Sequence, residues 1–222
     1  KSMFGNSIVF EEVNRNLGMS FSYRWSFSER FGVVRTVRVT NTSSTPIDVE
    51  ILDGLRNILP AGTDRTTQER ASTLLDAYKR NELDRPARLG IYSLSSVITD
   101  RAEPSESLRA HTVWSAGFPE ARIHIDPAVV YDAARGGSGG ESVEIRGRRG
   151  AYLLHGRVEV VDSREWMIVA DVDRTGAETA NLRRRLLADT ADEQISRVRA
   201  DLDADTDALR RIVALGDGLQ HS

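Results

Sequence analysis

From Met19 to Phe27 the chain alternates apolar and polar residues without interruption. Met19, Phe21, Tyr23, Trp25 and Phe27 fall on one side, and Ser20, Ser22, Arg24 and Ser26 on the other. A period of two over nine residues predicts a half-buried antiparallel strand. Ile8–Phe10 before it and Val33–Thr40 after it read as neighbouring strands. The cluster Asn41-Thr42-Ser43-Ser44-Thr45-Pro46 supplies a turn, and Ile47–Leu52 returns as a partner. The pattern then changes. Thr66-x-x-Glu69 is a capping box, and Ala71, Leu74, Leu75 and Tyr78 recur at helical spacing, which predicts one helix from about Asp64 to Asn81.

Strand texture resumes at Leu89–Thr99, Ser107–Phe118 and Arg122–Ile125, with a turn around Asp100–Ser105. Gly136-Gly137-Ser138-Gly139-Gly140 is a flexible loop tip. Val143–Ile145, Ala151–Val161 and Trp166–Val172 follow as the last strands. Two helices close the chain, each opened by a capping box, Thr175-x-x-Glu178 and Thr190-x-x-Glu193. In the second, Ile195, Val198, Leu202, Leu209 and Ile212 form the apolar stripe, Asp201, Asp203, Asp205 and Asp207 read mostly as its solvated face, and Gly216 and Gly218 stop it. The fold class is mainly β: an antiparallel β-sandwich with one inserted helix and two C-terminal helices. Residues 1–173 form the sandwich and 174–222 a helical segment.

Composition narrows the chemistry. The 222 residues are 40% hydrophobic and 28% charged, with a formal net charge of -3, which is ordinary globular composition. Balanced charge argues against bulk electrostatic binding of nucleic acid or of anionic membranes. No apolar run approaches the ~20 residues of a membrane-spanning helix. Cys is absent, so there is no disulfide scaffold, thiolate nucleophile or Cys-ligated metal, and the four His stand at no metal-ligand spacing. No cofactor is expected, and the cytoplasm is the expected compartment. The ends, Lys1-Ser2-Met3 and Gln220-His221-Ser222, read equally as those of an excised domain or of an intact chain.

Three constellations carry candidate chemistry. Asp48, Glu50 and Asp53 cluster near one strand end, and Asp171 and Asp173 flank Val172. Paired carboxylates serve glycosidases as acid and base, so Asp53 or Asp171 would carry catalysis if the chain were a small hydrolase. Solvated strand positions are the plainer reading of such a cluster. Arg146, Arg148 and Arg149 follow the glycine loop and could clamp an anion, although they match neither phosphate-binding fingerprint. Trp114, in His111-Thr112-Val113-Trp114-Ser115, is the strand aromatic most open to stacking on a sugar; Tyr23 and Trp25 are assigned to the core.

The stretches Phe10-Glu11-Glu12-Val13-Asn14-Arg15-Asn16-Leu17-Gly18-Met19-Ser20-Phe21-Ser22-Tyr23-Arg24-Trp25, Phe31-Gly32-Val33-Val34-Arg35-Thr36 and Val49-Glu50-Ile51-Leu52-Asp53-Gly54-Leu55-Arg56-Asn57-Ile58-Leu59-Pro60 resemble the N-terminal β-supersandwich of cellobiose phosphorylase-like proteins. Trp166-Met167-Ile168-Val169-Ala170-Asp171-Val172 and the capped helices after it resemble the end of such a domain running into its linker. The resemblance spans most of the chain in texture and order and includes no catalytic motif. It implies a non-catalytic domain that supports a helical catalytic barrel of the same parent chain, helps line an oligosaccharide cleft and takes part in dimer contacts. The catalytic and phosphate-binding residues of that family lie in the barrel, so none is carried onto this chain. The candidate sugar contacts are Trp114, Asp53 with the following loop to Thr63, and Arg146, Arg148 and Arg149. A free-standing carbohydrate-binding module is the competing expectation.

Overall fold

The computed structural model describes residues 1–63, 65–96, 107–137 and 139–217. In chain order the strands are β1 (Ser7–Asn14), β2 (Met19–Ser28), β3 (Gly32–Asn41), β4 (Ile47–Ile58), β5 (Lys79–Asp84), β6 (Leu89–Leu94), β7 (Arg109–Ala116), β8 (Arg122–His124), β9 (Glu144–Arg146), β10 (Gly150–Val160) and β11 (Ser163–Thr175). The helices are α1 (Arg65–Arg70), α2 (Ser72–Tyr78), α3 (Val129–Ala133), α4 (Gly176–Ala188) and α5 (Ala191–Asp217). Among the described residues the eleven strands form two wholly antiparallel sheets, one ordered β1-β2-β3-β11-β7-β6-β5-β9 and one ordered β4-β10-β8. No described helix is long and apolar enough to cross a membrane.

The large sheet is covered on both faces. Toward the small sheet it presents Val37, Val39, Tyr92, Val113, Trp166 and Ile168, which share a core with Ile51, Tyr152, Leu154, Val158 and Val160. On the opposite face Val34, Leu89, Trp114, Ala116, Met167 and Val169 pack with Val198 of α5, and Leu182 and Leu186 of α4 lie against them. This explains why β11 reads Trp166-Met167-Ile168-Val169 without alternation: a strand buried on both sides needs apolar residues in both rows. The C-terminal helices therefore form a third layer. Val198 is fully buried and Ile195 and Leu202 half-buried, whereas Ile212, Val213 and Leu215 at the far end of α5 are 65%, 44% and 82% exposed.

Several local expectations are met and others are corrected. Thr175 caps α4, accepting from the Glu178 amide at 3.3 Å while Glu178 Oε2 accepts from the Thr175 amide at 2.8 Å. Thr190 and Glu193 repeat this at α5. The single helix expected over 64–81 is instead two short helices broken at Ala71, and Lys79–Asp84 is strand. The reason is a change of period: Lys79, Asn81 and Leu83 alternate into the interior, and burying them as strand β5 outweighs helix propensity. Thr66 lies inside α1, so its capping box does not form. The helix α3 escaped notice because five residues show no period. The expected turn at Asp100–Ser105, the strand end at Val97–Thr99, Ser138 and the stop at Gly218 lie outside the described residues.

Two glycines are set by one tyrosine. Tyr92 is fully buried between the sheets and donates its hydroxyl to the Ala151 carbonyl at 2.7 Å. Tyr152 beside it donates to the Arg88 carbonyl at 2.6 Å and lies 2.9 Å from the Ser115 hydroxyl. Burial pushes both phenols well above their ordinary range, so both remain neutral donors. A Cβ on Gly150 would stand 2.4 Å from Cε1 of Tyr92, and one on Gly90 2.7 Å from its hydroxyl. Gly150→Ala is expected to cost about 1–3 kcal/mol, the usual range for overpacking. Gly140→Ala, where a Cβ meets nothing within 4 Å, should stay within about 0.5 kcal/mol of the parent. Urea midpoints with unchanged slope check both.

Candidate functional site

Asp53 belongs to the inward row of β4, with Ile47, Val49 and Ile51; Asp48 and Glu50 face outward and are exposed. It is thus separated from the carboxylates that neighbour it in sequence. Its side chain forms an ion pair with Arg35 of β3 and accepts from the Trp166 indole N–H at 2.8 Å. Arg35 and Asp53 are each only 7% exposed. The Arg35 guanidinium also lies 4.4 Å from the Tyr23 ring centroid and 5.6 Å from that of Trp25, a cation–π arrangement. Every polar contact of Asp53 joins the small sheet to the large one. That is a structural role and leaves no open carboxylate for a ligand.

The other expected contacts do not converge. Trp114 is 3% exposed, covered by the helical layer, and borders a cavity of about 250 Å³ shared with Phe31, Asp171, Arg174 and Arg185. It presents no open face for stacking on a surface ligand. Arg146 on the edge strand β9 pairs with Glu144 at 2.6 Å, and Arg148 faces Asp126 at 3.4 Å. Arg149 is exposed and has no ion-pair partner among the described residues. Four strands separate β9 from the β3 position of Arg35, so the arginines and Asp53 do not share a site. Asp171 is held by Arg174, whose Nε lies 2.6 Å from it, within an irregularity of β11. The segment after Asp53 is mostly strand, since β4 continues to Ile58.

One histidine has an acidic neighbour that strand reading missed. His155 Nε2 lies 3.0 Å from Glu50 Oε1 across the β4–β10 pair, and its hydrogen bond is the first cause holding Glu50 below the usual carboxylate range. His124 is 1% exposed, with its ring centroid 5.9 Å from that of His155, and its buried Nε2 has no hydrogen-bond partner among the described residues. Desolvation lowers its pKa, opposed by the hydrogen bond to the Gly140 carbonyl. Among the described residues no group of three His, Asp or Glu is placed to hold a metal ion.

A cleft of about 710 Å³, lined by none of these candidates, lies between α5 and the outer face of β1–β3. Its floor is the polar row of β2, Ser22, Arg24 and Ser26, with Thr36 and Arg38 of β3 and Glu165 of β11. Its roof is Arg199, Asp203, Thr206 and Arg210. Glu165 bridges Arg38, at 2.8 Å, and Arg199. One end is closed by Asn6, which donates to Thr206 Oγ1 at 2.9 Å, and by Phe4, whose ring lies under Arg210. These groups were legible but unread. Arg199, Asp203, Thr206 and Arg210 step by 4, 3 and 4, a second, polar stripe beside the apolar one. Alternation alone places the polar row of β2 toward solvent, whereas α5 lies over it, leaving Arg24 exposed, Ser22 half-buried and Ser26 buried. The acidic residues were likewise only partly solvated: Asp201 binds Ser28, and Asp205 accepts from the Glu29 amide at 3.2 Å.

Comparison with protein-family models and with curated proteins finds no match.

Removing one member of the buried pair should cost about 3–5 kcal/mol, because the other charge is left unpaired. Arg35→Leu and Asp53→Leu are each expected to show this loss, and the double variant to recover part of it, in a denaturant double-mutant cycle. Desolvation also lowers the pKa of His111, so the unfolded chain binds more protons than the folded one below 6.5, the ordinary value for both His111 and His124. Stability from these groups is present above that value and is lost as pH falls below it through their lowered folded-state values. Replacing both by Gln should flatten the fall in urea midpoint over that window.

Proposed function

We infer that this chain is a non-catalytic, supersandwich-like β domain of a cytoplasmic carbohydrate-active protein resembling the glycoside phosphorylases. Its work is to support a helical catalytic domain and contribute to sugar recognition. The observation that carries this reading is the use made of its carboxylates. Asp53 and Asp171, the two candidates for acid or base catalysis, are fixed counter-ions of Arg35 and Arg174. A general acid must instead reach its substrate with a proton to give. The exposed run Ile212, Val213 and Leu215 at the end of α5 supports the docking role, since contiguous apolar surface of this kind suits a protein interface.

A second reading, a carbohydrate-binding module, is favoured by one feature. Phe10, 45% exposed, stacks on Tyr23 at 5.1 Å, and Trp25 meets Tyr23 edge-on at 6.5 Å. This aromatic ladder lies on β1 and β2, where rings could stack on a sugar.

The chain alone is expected to release no sugar from cello-oligosaccharides with either water or phosphate as acceptor. Turnover that disappears in Asp53→Asn or Asp171→Asn, with the fold retained, would establish a hydrolase instead. Saturable Trp fluorescence quenching by an oligosaccharide, abolished by Phe10→Ala, would establish the binding-module reading.

A further inference from the structure

The interface between α5 and the β1–β3 corner is built against the usual rule. A helix laid on a sheet normally buries an apolar stripe against an apolar face. That holds for the first half of α5, where Val198, Ile195 and Leu202 meet Met167 and Val169. Further along, both surfaces become polar and stand apart, leaving the cleft under Arg199, Asp203, Thr206 and Arg210. Its volume, about 710 Å³, is within the range of small-molecule sites.

Several of its side chains make no hydrogen bond among the described residues. The Arg24 guanidinium has no ion-pair or hydrogen-bond partner there, although its neighbours Arg38 and Arg199 share Glu165 and Arg210 has Asp207 at 2.8 Å. Ser26 is 7% exposed and lines the cleft, and its hydroxyl has no partner among the described residues; the same holds for the hydroxyls of Ser22 and Thr36. Asp203 likewise has no partner there. Four arginines against two carboxylates give the lining an excess of positive charge. Guanidinium groups match phosphate and carboxylate oxygens, while hydroxyls and a free carboxylate match an array of ligand hydroxyls.

We propose that the cleft between α5 and strands β1–β3 binds a sugar ring carrying one anionic group, a phosphate or a carboxylate. Arg24 takes the anion, and Ser22, Ser26, Thr36 and Asp203 take the ring hydroxyls. The proposal goes beyond the role inferred above and does not rest on it, since a domain with no part in glycoside chemistry would keep the same cleft.

Calorimetric titration of the whole chain with glucose 6-phosphate, glucuronate, glucose and inorganic phosphate tests it. At least one sugar anion should bind about tenfold or more tighter than both glucose and inorganic phosphate, and the tighter of the two identifies the anion as phosphate or carboxylate. Arg24→Gln, at an exposed position, should weaken that binding about tenfold, the loss expected for one charge-assisted hydrogen bond, with an unchanged thermal midpoint. Arg199→Gln should weaken it as well and reduce its salt dependence. Absence of binding by both sugar anions, equal binding of inorganic phosphate, or affinity unaffected by Arg24→Gln would overturn the proposal.

Discussion

A mismatch of widths governs this structure. Eight strands spaced about 4.8 Å apart make a sheet about 34 Å across, and three make one about 10 Å across. The small sheet β4-β10-β8 can therefore shield only part of the large one, and the remaining apolar surface needs other cover. On the inner side that cover comes from residues outside the ladders, such as Phe118 and Ala121, together with the aromatic rings of β2. On the outer side it comes from α4 and α5. The narrow contact between the sheets is also where the charged pair Arg35–Asp53 sits, with Trp166 as its third member. A buried ion pair adds little net stability compared with apolar residues of the same shape, but only one alignment of the sheets satisfies it. Its contribution lies in fixing that alignment.

How much of this was legible depends on whether the signal was local. The alternation of β2 and the capping boxes of α4 and α5 are local: β2 is a strand and both boxes form, although at the end of β2 burial reverses, with Phe27 57% exposed and Ser26 and Ser28 buried. The end of the α2 helix was not legible, because Leu74, Leu75 and Tyr78 continue a helical period up to the residue where burial of Lys79, Asn81 and Leu83 imposes the strand period. Functional residues fared worse for the same reason. Trp114, Asp53 and the arginines at 146, 148 and 149 were chosen by type, but whether a side chain meets solvent depends on which layer covers it. Trp114 is covered by helices some seventy residues further along the chain. Asp53 has a partner eighteen residues before it, across the core.

The cleft under α5 shows the converse. The serines of β2 and the polar stripe of α5 each look like ordinary solvated faces, and the solvated reading was sound for each element taken alone. Only their opposition turns two hydrophilic faces into one enclosed surface. A β strand with small hydroxyl residues and one arginine beneath a helix with arginines on its facing side leaves a polar cleft that apolar packing would have closed. In the cavity beside Trp114, by contrast, both carboxylates, Asp171 and Glu178, are held by Arg174.

The junction between the sheet and the helical layer has a mechanical meaning. Thr175 is both the last residue of β11 and the cap of α4, and only Asp189 and Thr190 stand between α4 and α5. No slack separates the central strand from the far tip of α5. β11 is hydrogen-bonded on both sides, to β3 and to β7, so it resists being pulled from the sheet. A tug at the tip of α5 is thereby delivered to a strand held on both sides instead of being absorbed in a loop.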